Sequence, residues 1–251
     1  MKYKILELDI ENAPNAGYMW GLWKQDIPVA MLEEQWYILT WAAKWLGEGK
    51  VMGATLQDQN CLSRLWKLLD QADLVIAHNG DKFDIPKINT YFILNDLSPP
   101  SPYRTVDTLK VARKHFAFAS NRLDDLGLFL GVGRKRKNDG FELWKRCMAG
   151  EKKAFKEMLA YNIDDVTLLE AVYLTLRPYM NNHPNLGMFG ELEGAECPSC
   201  GSSELVQNGY YRTNVSKFQR YTCKDCGNPN IRGRLNLLTK EEKENLVTNA
   251  R

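Results

Sequence analysis

The chain has 251 residues, of which 44% are hydrophobic and 25% charged, with 18 glycines and 10 prolines. That balance excludes a disordered, collagen-like or coiled-coil protein and allows one substantial core plus a small extra module. The net charge of +2 says little as a total, but residues 197–251 hold nine Lys/Arg against five Asp/Glu, so a tail of +4 follows a body of −2.

The first element expected is a strand over Lys4–Glu11, where Leu6, Leu8 and Ile10 alternate with polar positions, the period of a strand with one buried face. Asn12–Asn15 ends it. Trp36–Lys44 and Lys50–Leu56 read as two more strands joined through Gly47-Glu48-Gly49, a hairpin signal. Cys61–Ala72 has helical spacing of Leu62, Leu65, Trp66 and Leu69, and the apolar run Leu74–Ala77 reads as a buried strand ending at His78-Asn79-Gly80. Phe83–Leu94 and Thr108–Phe116 are expected as helices with a strand, Tyr103–Asp107, between them; Leu123–Leu130, Phe141–Met148 and Glu151–Leu176 are helical in period. Three early strands followed by alternating strands and helices predict an α/β domain with a mixed sheet over residues 1–185. The Asn-, Gly- and Pro-rich stretch 186–196 reads as a linker.

No apolar run reaches the roughly 18–20 residues that a membrane span needs. The N-terminus gathers three carboxylates within eleven residues and has no small-residue cleavage site, so it is not expected to be a secretory signal. A soluble protein of a reducing compartment, the cytoplasm, is expected, with no membrane partner.

Three carboxylate clusters stand out. Asp9 and Glu11 lie two apart on the first strand, so both project to one face, and two carboxylates that close repel unless a cation, typically a divalent metal, lies between them. Asp81 and Asp84 follow the buried strand in His78–Asp84; Asp84 stands where a helix begins and could equally be its N-cap. Tyr161 and Asp165 are i and i+4 on a long helix and can address one point, whereas Asp164 lies off that face. Each cluster alone is compatible with a solvated or capping role.

Their conjunction, in this order and on these element types, resembles the three motifs of the DEDD superfamily of exonucleases in its tyrosine-bearing branch. Asn79–Pro86 is similar to the second motif of the proofreading domains of family B DNA polymerases. Trp41–Gly47, Val106–Leu109, Leu130–Lys135 and Tyr161–Glu170 resemble stand-alone ribonuclease H-like exonuclease domains of phage and bacterial proteins. The resemblance covers most of residues 1–185 and implies a ribonuclease H-like mixed sheet flanked by helices. It also implies 3′–5′ exonuclease activity on DNA or RNA, with DNA favoured, by two Mg²⁺ or Mn²⁺ ions. Asp9 would bridge both ions, Glu11 and Asp165 complete the first, and Asp84 hold the second, while Tyr161 orients the attacking water. If the protein is phage-encoded, its compartment is the host cytoplasm. No polymerase-like region follows, which argues against proofreading in cis. A structure-specific endonuclease on the same site and an inactive nucleic-acid-binding protein are the alternatives.

Further nucleic-acid contacts are sought at Asn79, Lys82 and the run Arg134, Lys135, Arg136, Lys137, each of which could equally be a solvated loop residue. His78 is either a phosphate contact or a satisfied structural histidine, and Asp107 either lines the cleft or caps a helix. Trp20, Trp23 and Trp36 could stack on unpaired bases, as could Trp41 and Trp45, whose strand spacing instead favours the core.

Four of the six cysteines form two Cys-x-x-Cys pairs, Cys197/Cys200 and Cys223/Cys226, each followed by Gly; Cys61 and Cys147 stand alone. This spacing predicts one structural Zn²⁺ in a zinc ribbon over residues 197–236, with strands at Tyr210–Arg212 and Phe218–Thr222. So small a module needs the metal to fold. Its interleaved aromatic and basic residues, among them Tyr211, Arg212 and Arg220, fit either a nucleic-acid surface or a purely structural ribbon. Residues 237–251 are expected to hold a short helix opened by the capping box Thr239–Glu242.

Overall fold

A computed structural model of the chain describes residues 3–191 and 194–249. Residues 192 and 193 of the expected linker, and 250 and 251 of the expected terminal segment, lie outside these. The chain divides into two compact units, Lys4–Val172 and Tyr173–Arg251, the second including Tyr3.

The first unit is a mixed α/β fold. Its elements are β1 (Ile5–Asn12), β2 (Ala16–Gly17), β3 (Leu32–Glu34), β4 (Ile38–Trp45), β5 (Val51–Thr55), α1 (Cys61–Gln71), β6 (Leu74–Ala77), α2 (Asp84–Leu94), β7 (Arg104–Asp107), α3 (Thr108–His115), α4 (Leu123–Phe129), α5 (Phe141–Met148) and most of α6 (Lys152–Leu176). The sheet order is β5-β4-β1-β6-β7. β1 pairs antiparallel with β4 and parallel with β6, so the strand bearing Asp9 and Glu11 is central. β2 and β3 form a separate two-stranded ribbon.

One face of β1 carries Leu6, Leu8 and Ile10 into a core shared with Trp41, Leu65, Leu69, Ile88 and Phe92 from β4, α1 and α2. Burying each such side chain contributes roughly 1.5–3 kcal/mol, which holds the strand in register. The other face is covered as well: Glu7 is fully buried, and Asn162 and Asp165 of α6 approach from that side. The expectation of one buried face is therefore corrected. A central strand packed by helices on both sides has no solvent face, and its polar residues there are buried for other reasons. Lys44 of β4, directly opposite Glu7 in register, makes a short ion pair with Glu170 of α6. Burial beside Glu170 pushes the Glu7 carboxyl up to about 9, so it stays neutral at neutral pH.

The second unit contains β8 (Leu205–Arg212), β9 (Lys217–Cys223), β10 (Ile231–Arg232) and α7 (Lys240–Asn245). The three strands form an antiparallel sheet in the order β10-β9-β8. Its small core consists of Cys197, Cys223 and Ile231 with Cys200, Leu205, Tyr221 and Cys226 packed on them, the arrangement of a zinc ribbon. The capping box is present: Glu242 N–H donates to Thr239 Oγ1 at 3.1 Å and Thr239 N–H to Glu242 Oε2 at 2.7 Å. No helix of the described residues is long and apolar enough to cross a membrane.

Candidate active site

Ligand-type oxygens of Asp9, Glu11 and Asp165 lie within 4.8 Å of one another. Three elements produce this. The alternation of β1 points Asp9 and Glu11 to the α6 side, and the i, i+4 spacing on α6 points Tyr161 and Asp165 back at them. Asn162, fully buried on the same helix, donates from Nδ2 to Asp9 Oδ2 at 2.5 Å and accepts from Thr40 Oγ1 at 3.2 Å, fixing one Asp9 oxygen.

Asp84 stands beside this trio. It is the first residue of α2, Phe83 being the N-cap, and its Oδ1 accepts from the Ile10 amide of β1 at 3.1 Å. The turn that delivers it is tight: a Cβ on Gly80 would sit 2.3 Å from the Ala77 Cβ. Asn79 adopts φ +66° and donates its N–H to Asp107 Oδ1 at 2.9 Å.

The electrostatics are those of crowded like charges. Burial, then Asp84, Glu11 and Asp165, hold Asp9 well above the usual carboxylate range. Burial raises Glu11 to about 8 despite the nearby Lys135 ammonium, and raises Asp84 to about 7 despite its amide hydrogen bonds. Asp165 is raised by burial, with Lys135 and a hydrogen bond from Tyr161 opposing. One Asp165 oxygen is buried without a hydrogen-bond partner. Converging hard oxygens with an unsatisfied buried atom are the donor set that suits Mg²⁺ or Mn²⁺. The residues present therefore fit divalent ions.

Lys135 enters this centre. Its Nζ lies 2.5 Å from Asp165 Oδ2 and 3.3 Å from the Tyr161 hydroxyl. The other members of its run do not: Arg134 pairs with Asp124, Arg136 with Asp164, and Lys137 is exposed. Tyr161 packs edge-on against Trp144, with ring centroids 6.3 Å apart. Burial pushes its hydroxyl up to about 12, so it is a donor at neutral pH.

The centre opens into a cleft of about 760 Å³ whose lining includes Asn79, Asp84, Arg113, Arg122 and Lys135. Arg122 carries no sequence signal because it stands alone, and Arg113 falls in Arg113-Lys114-His115 at the last turn of α3, where basic residues complement any helix C-terminus. Asn162 was readable in principle, as a polar residue on the apolar face of α6. His78 also lines the cleft, but both ring nitrogens are engaged, with Thr108 Oγ1 at 2.9 Å and the Asn121 carbonyl at 3.0 Å. Burial lowers it to about 4, leaving it neutral. Asp107 caps α3 by accepting from the Leu109 and Lys110 amides. Asp81 pairs with Lys110, and Lys82 is exposed. Trp41 is core, Trp36 and Trp45 pack on it, and Trp20 and Trp23 are 90% and 84% exposed.

In the second unit the four cysteines converge, with Sγ–Sγ separations of 3.6 Å for Cys197–Cys226 and for Cys200–Cys223. Tetrahedral zinc with Zn–S bonds of about 2.3 Å requires sulfurs about 3.8 Å apart, so the cluster fits that ion. Gly201 and Gly227, one after each pair, both adopt φ +73° and donate N–H to Cys197 O and Cys223 O, closing matched turns.

Comparison with curated proteins finds no match. Among solved structures, a family B DNA polymerase from the hyperthermophilic archaeon Pyrobaculum calidifontis has a similar fold, with a TM-score of 0.54 and 14% sequence identity over 70% of this chain. The match spans 25% of that polymerase. The profile of the RNase_H superfamily matches residues 47–177, which include Asp84, Lys135, Tyr161 and Asp165, while Asp9 and Glu11 join them through the central strand. With half the chain so matched and the mixed sheet in place, the chain belongs to the RNase H superfamily.

Proposed function

We propose that the chain is a metal-dependent 3′–5′ exonuclease that hydrolyses phosphodiester bonds, with DNA as the preferred substrate and the zinc ribbon assisting in nucleic-acid binding. The observation that carries this reading is the convergence of Asp9, Glu11 and Asp165 within 4.8 Å, with Asp84 hydrogen-bonded to the same strand. The superfamily match, the fold shared with a DNA polymerase and the tyrosine-branch motif order support it.

In this reading Asp9, Glu11, Asp84 and Asp165 would hold two Mg²⁺ or Mn²⁺ ions. The ions supply Lewis-acid stabilisation of the attacking and leaving oxygens and lower the pKa of water. Tyr161, protonated at neutral pH, orients the attacking water by hydrogen bond and does not act as its base. Asn162 keeps Asp9 in its rotamer. Arg113 and Arg122, at the cleft wall, bind the phosphate backbone, and Lys135 offsets the carboxylate charge. Water oxygen attacks phosphorus as it gives up a proton, the P–O3′ bond breaks, a nucleoside 5′-monophosphate is released, and the departing O3′ takes up a proton to become the new 3′ hydroxyl. The paired thiols fit a reducing compartment, the cytoplasm of a bacterium or of a phage's host.

Incubating 5′-labelled single-stranded DNA, duplex DNA, RNA and a closed single-stranded circle with the protein and Mg²⁺ tests the reading. A stepwise ladder from the 3′ end on linear DNA, with the circle intact, is expected. Cutting of the circle would replace it with an endonuclease, and binding without any cleavage would leave only a nucleic-acid-binding protein.

A further inference from the structure

The basic and aromatic residues of the ribbon are divided by strand register between two faces of its sheet. Asn208-Gly209 forms a bulge: Gln207 pairs with Tyr221 and Tyr210 with Gln219, so β8 holds one extra residue, and Gly209 takes φ +66°. The bulge resets the alternation. Leu205, Tyr221 and Ile231 then face the cysteine core together with Tyr210 and Arg212. Tyr211, Phe218, Arg220 and Arg232 lie on the opposite face.

That second face is built in layers. Tyr211 and Phe218 are directly paired, with ring centroids 6.4 Å apart. The Arg232 guanidinium lies 4.4 Å from the Phe218 centroid and 5.6 Å from that of Tyr211. Arg220 is anchored by donating from Nε to the Asn208 carbonyl at 2.7 Å. Phe218, Arg232 and Arg234 line a shallow concavity of about 440 Å³. Tyr211 remains 45% exposed.

Two features identify the occupant. Arg220 and Arg232 are directly opposite in register, a like-charge cross-strand pair that destabilises a sheet, and no Asp or Glu stands among the residues of this face to offset it. Residues 197–236 as a whole hold six Lys/Arg and only Glu204 and Asp225 as acids. An anionic partner relieves that repulsion. Beside the charges, the two aromatic rings and the planar Arg232 guanidinium offer flat faces on which a base can stack and which phosphate alone does not use.

We propose that this face binds single-stranded nucleic acid, with unpaired bases stacked on Tyr211 and on the outer side of the Arg232–Phe218 layer, and with Arg220 and Arg234 on the phosphates. A duplex keeps its base faces in its own stack and cannot use the platform. The inference rests on the nucleic-acid reading above and narrows this surface to unpaired strands.

The test uses the full zinc-loaded chain with Asp9→Ala, so that the ligand survives, and fluorescence anisotropy with labelled oligothymidylate, an abasic oligonucleotide of equal length and a duplex. Oligothymidylate is expected to bind roughly tenfold tighter than the abasic strand, since each stacked base contributes a factor of that order. Tyr211→Ala, at a half-exposed position that need not disturb folding, and Arg232→Lys, which keeps charge but loses the plane, should each shrink that preference with zinc content unchanged. Arg220→Gln should weaken both single strands alike. Equal binding of thymidylate and abasic strands, tighter binding of the duplex, or a preference untouched by Tyr211→Ala and Arg232→Lys overturns the proposal. Cleavage by the parent chain with Mg²⁺ is scored separately: a ladder without base preference removes this surface and leaves the nuclease reading standing, and base preference without cleavage does the reverse.

Discussion

The carboxylate centre and the cysteine cluster both crowd groups that repel one another when ionised, yet they are held in opposite ways. Asp9 and Glu11 hang from a strand whose other face buries Leu6, Leu8 and Ile10 in a core shared with two helices. That core exists without any ion, so the carboxylates are forced together and respond with raised pKa values. In the ribbon the ligands are themselves the core, Cys197 and Cys223 with Ile231 and few neighbours. The first site is a strain that a stable fold imposes; the second is the fold's own foundation.

The largest effect that would break this contrast is metal removal. Stripping zinc, or Cys223→Ser, withdraws metal-derived folding energy that reaches about 10 kcal/mol in such modules. Hydrogen exchange should then become fast throughout Leu205–Cys223 while Ile38–Trp45 stays protected. A protected, zinc-free β9 would end the comparison.

Next in size, Asp165→Asn should lower the rate of cleavage roughly a thousandfold, about 4 kcal/mol of transition-state stabilisation, without lowering the melting temperature of the metal-free chain. Relief of repulsion offsets the lost ion pair with Lys135. A large loss of stability would mean that Asp165 is structural.

The pH dependence sharpens the comparison further. Glu11 and Asp84, raised to about 8 and about 7, bind protons in the folded state at pH values where the unfolded chain has lost them. Their contribution to metal-free stability is therefore full below about pH 4, declines as pH rises, and is lost once pH passes about 7–8. His78, lowered to about 4, runs the other way, its contribution present above about pH 6.5 and lost as pH falls toward 4. Comparing denaturation midpoints of the parent chain and Glu11→Gln removes the histidine contribution; the parent should lose stability relative to the variant as pH rises, and Mn²⁺ should restore it. Zinc binding in the ribbon has the opposite sense, failing as pH falls and thiolates are protonated.

The smallest effect expected is that of Tyr161→Phe, roughly a tenfold slower cleavage, because only one orienting hydrogen bond is lost.

Much of this was legible in the chain itself. Leu74–Ala77 and Phe141–Met148 are bounded as their apolar pattern predicts, and the helical face shared by Tyr161 and Asp165 follows from spacing alone. The strands β2, β3 and β10 were not readable, since two or three residues carry no period. The burial of Glu7 is not legible, because alternation reveals one buried face of β1 but cannot tell whether a helix covers the other. Lys135 reaches Asp165 through a loop in which Gly131, Gly133 and Gly140 take positive φ, a path that no local pattern specifies. The two faces of the ribbon depend on the bulge at Asn208-Gly209, which shifts the alternation by one.

The most direct test of the carboxylate centre is single-turnover cleavage of a 5′-labelled single strand by chain that retains zinc but has been freed of Mg²⁺ and Mn²⁺, before and after Mn²⁺ is added, with Asp9→Ala alongside. The account predicts no cleavage before addition, a ladder descending from the 3′ end after it, and none at any time in the variant. A ladder without Mn²⁺, or one that survives Asp9→Ala, would contradict it.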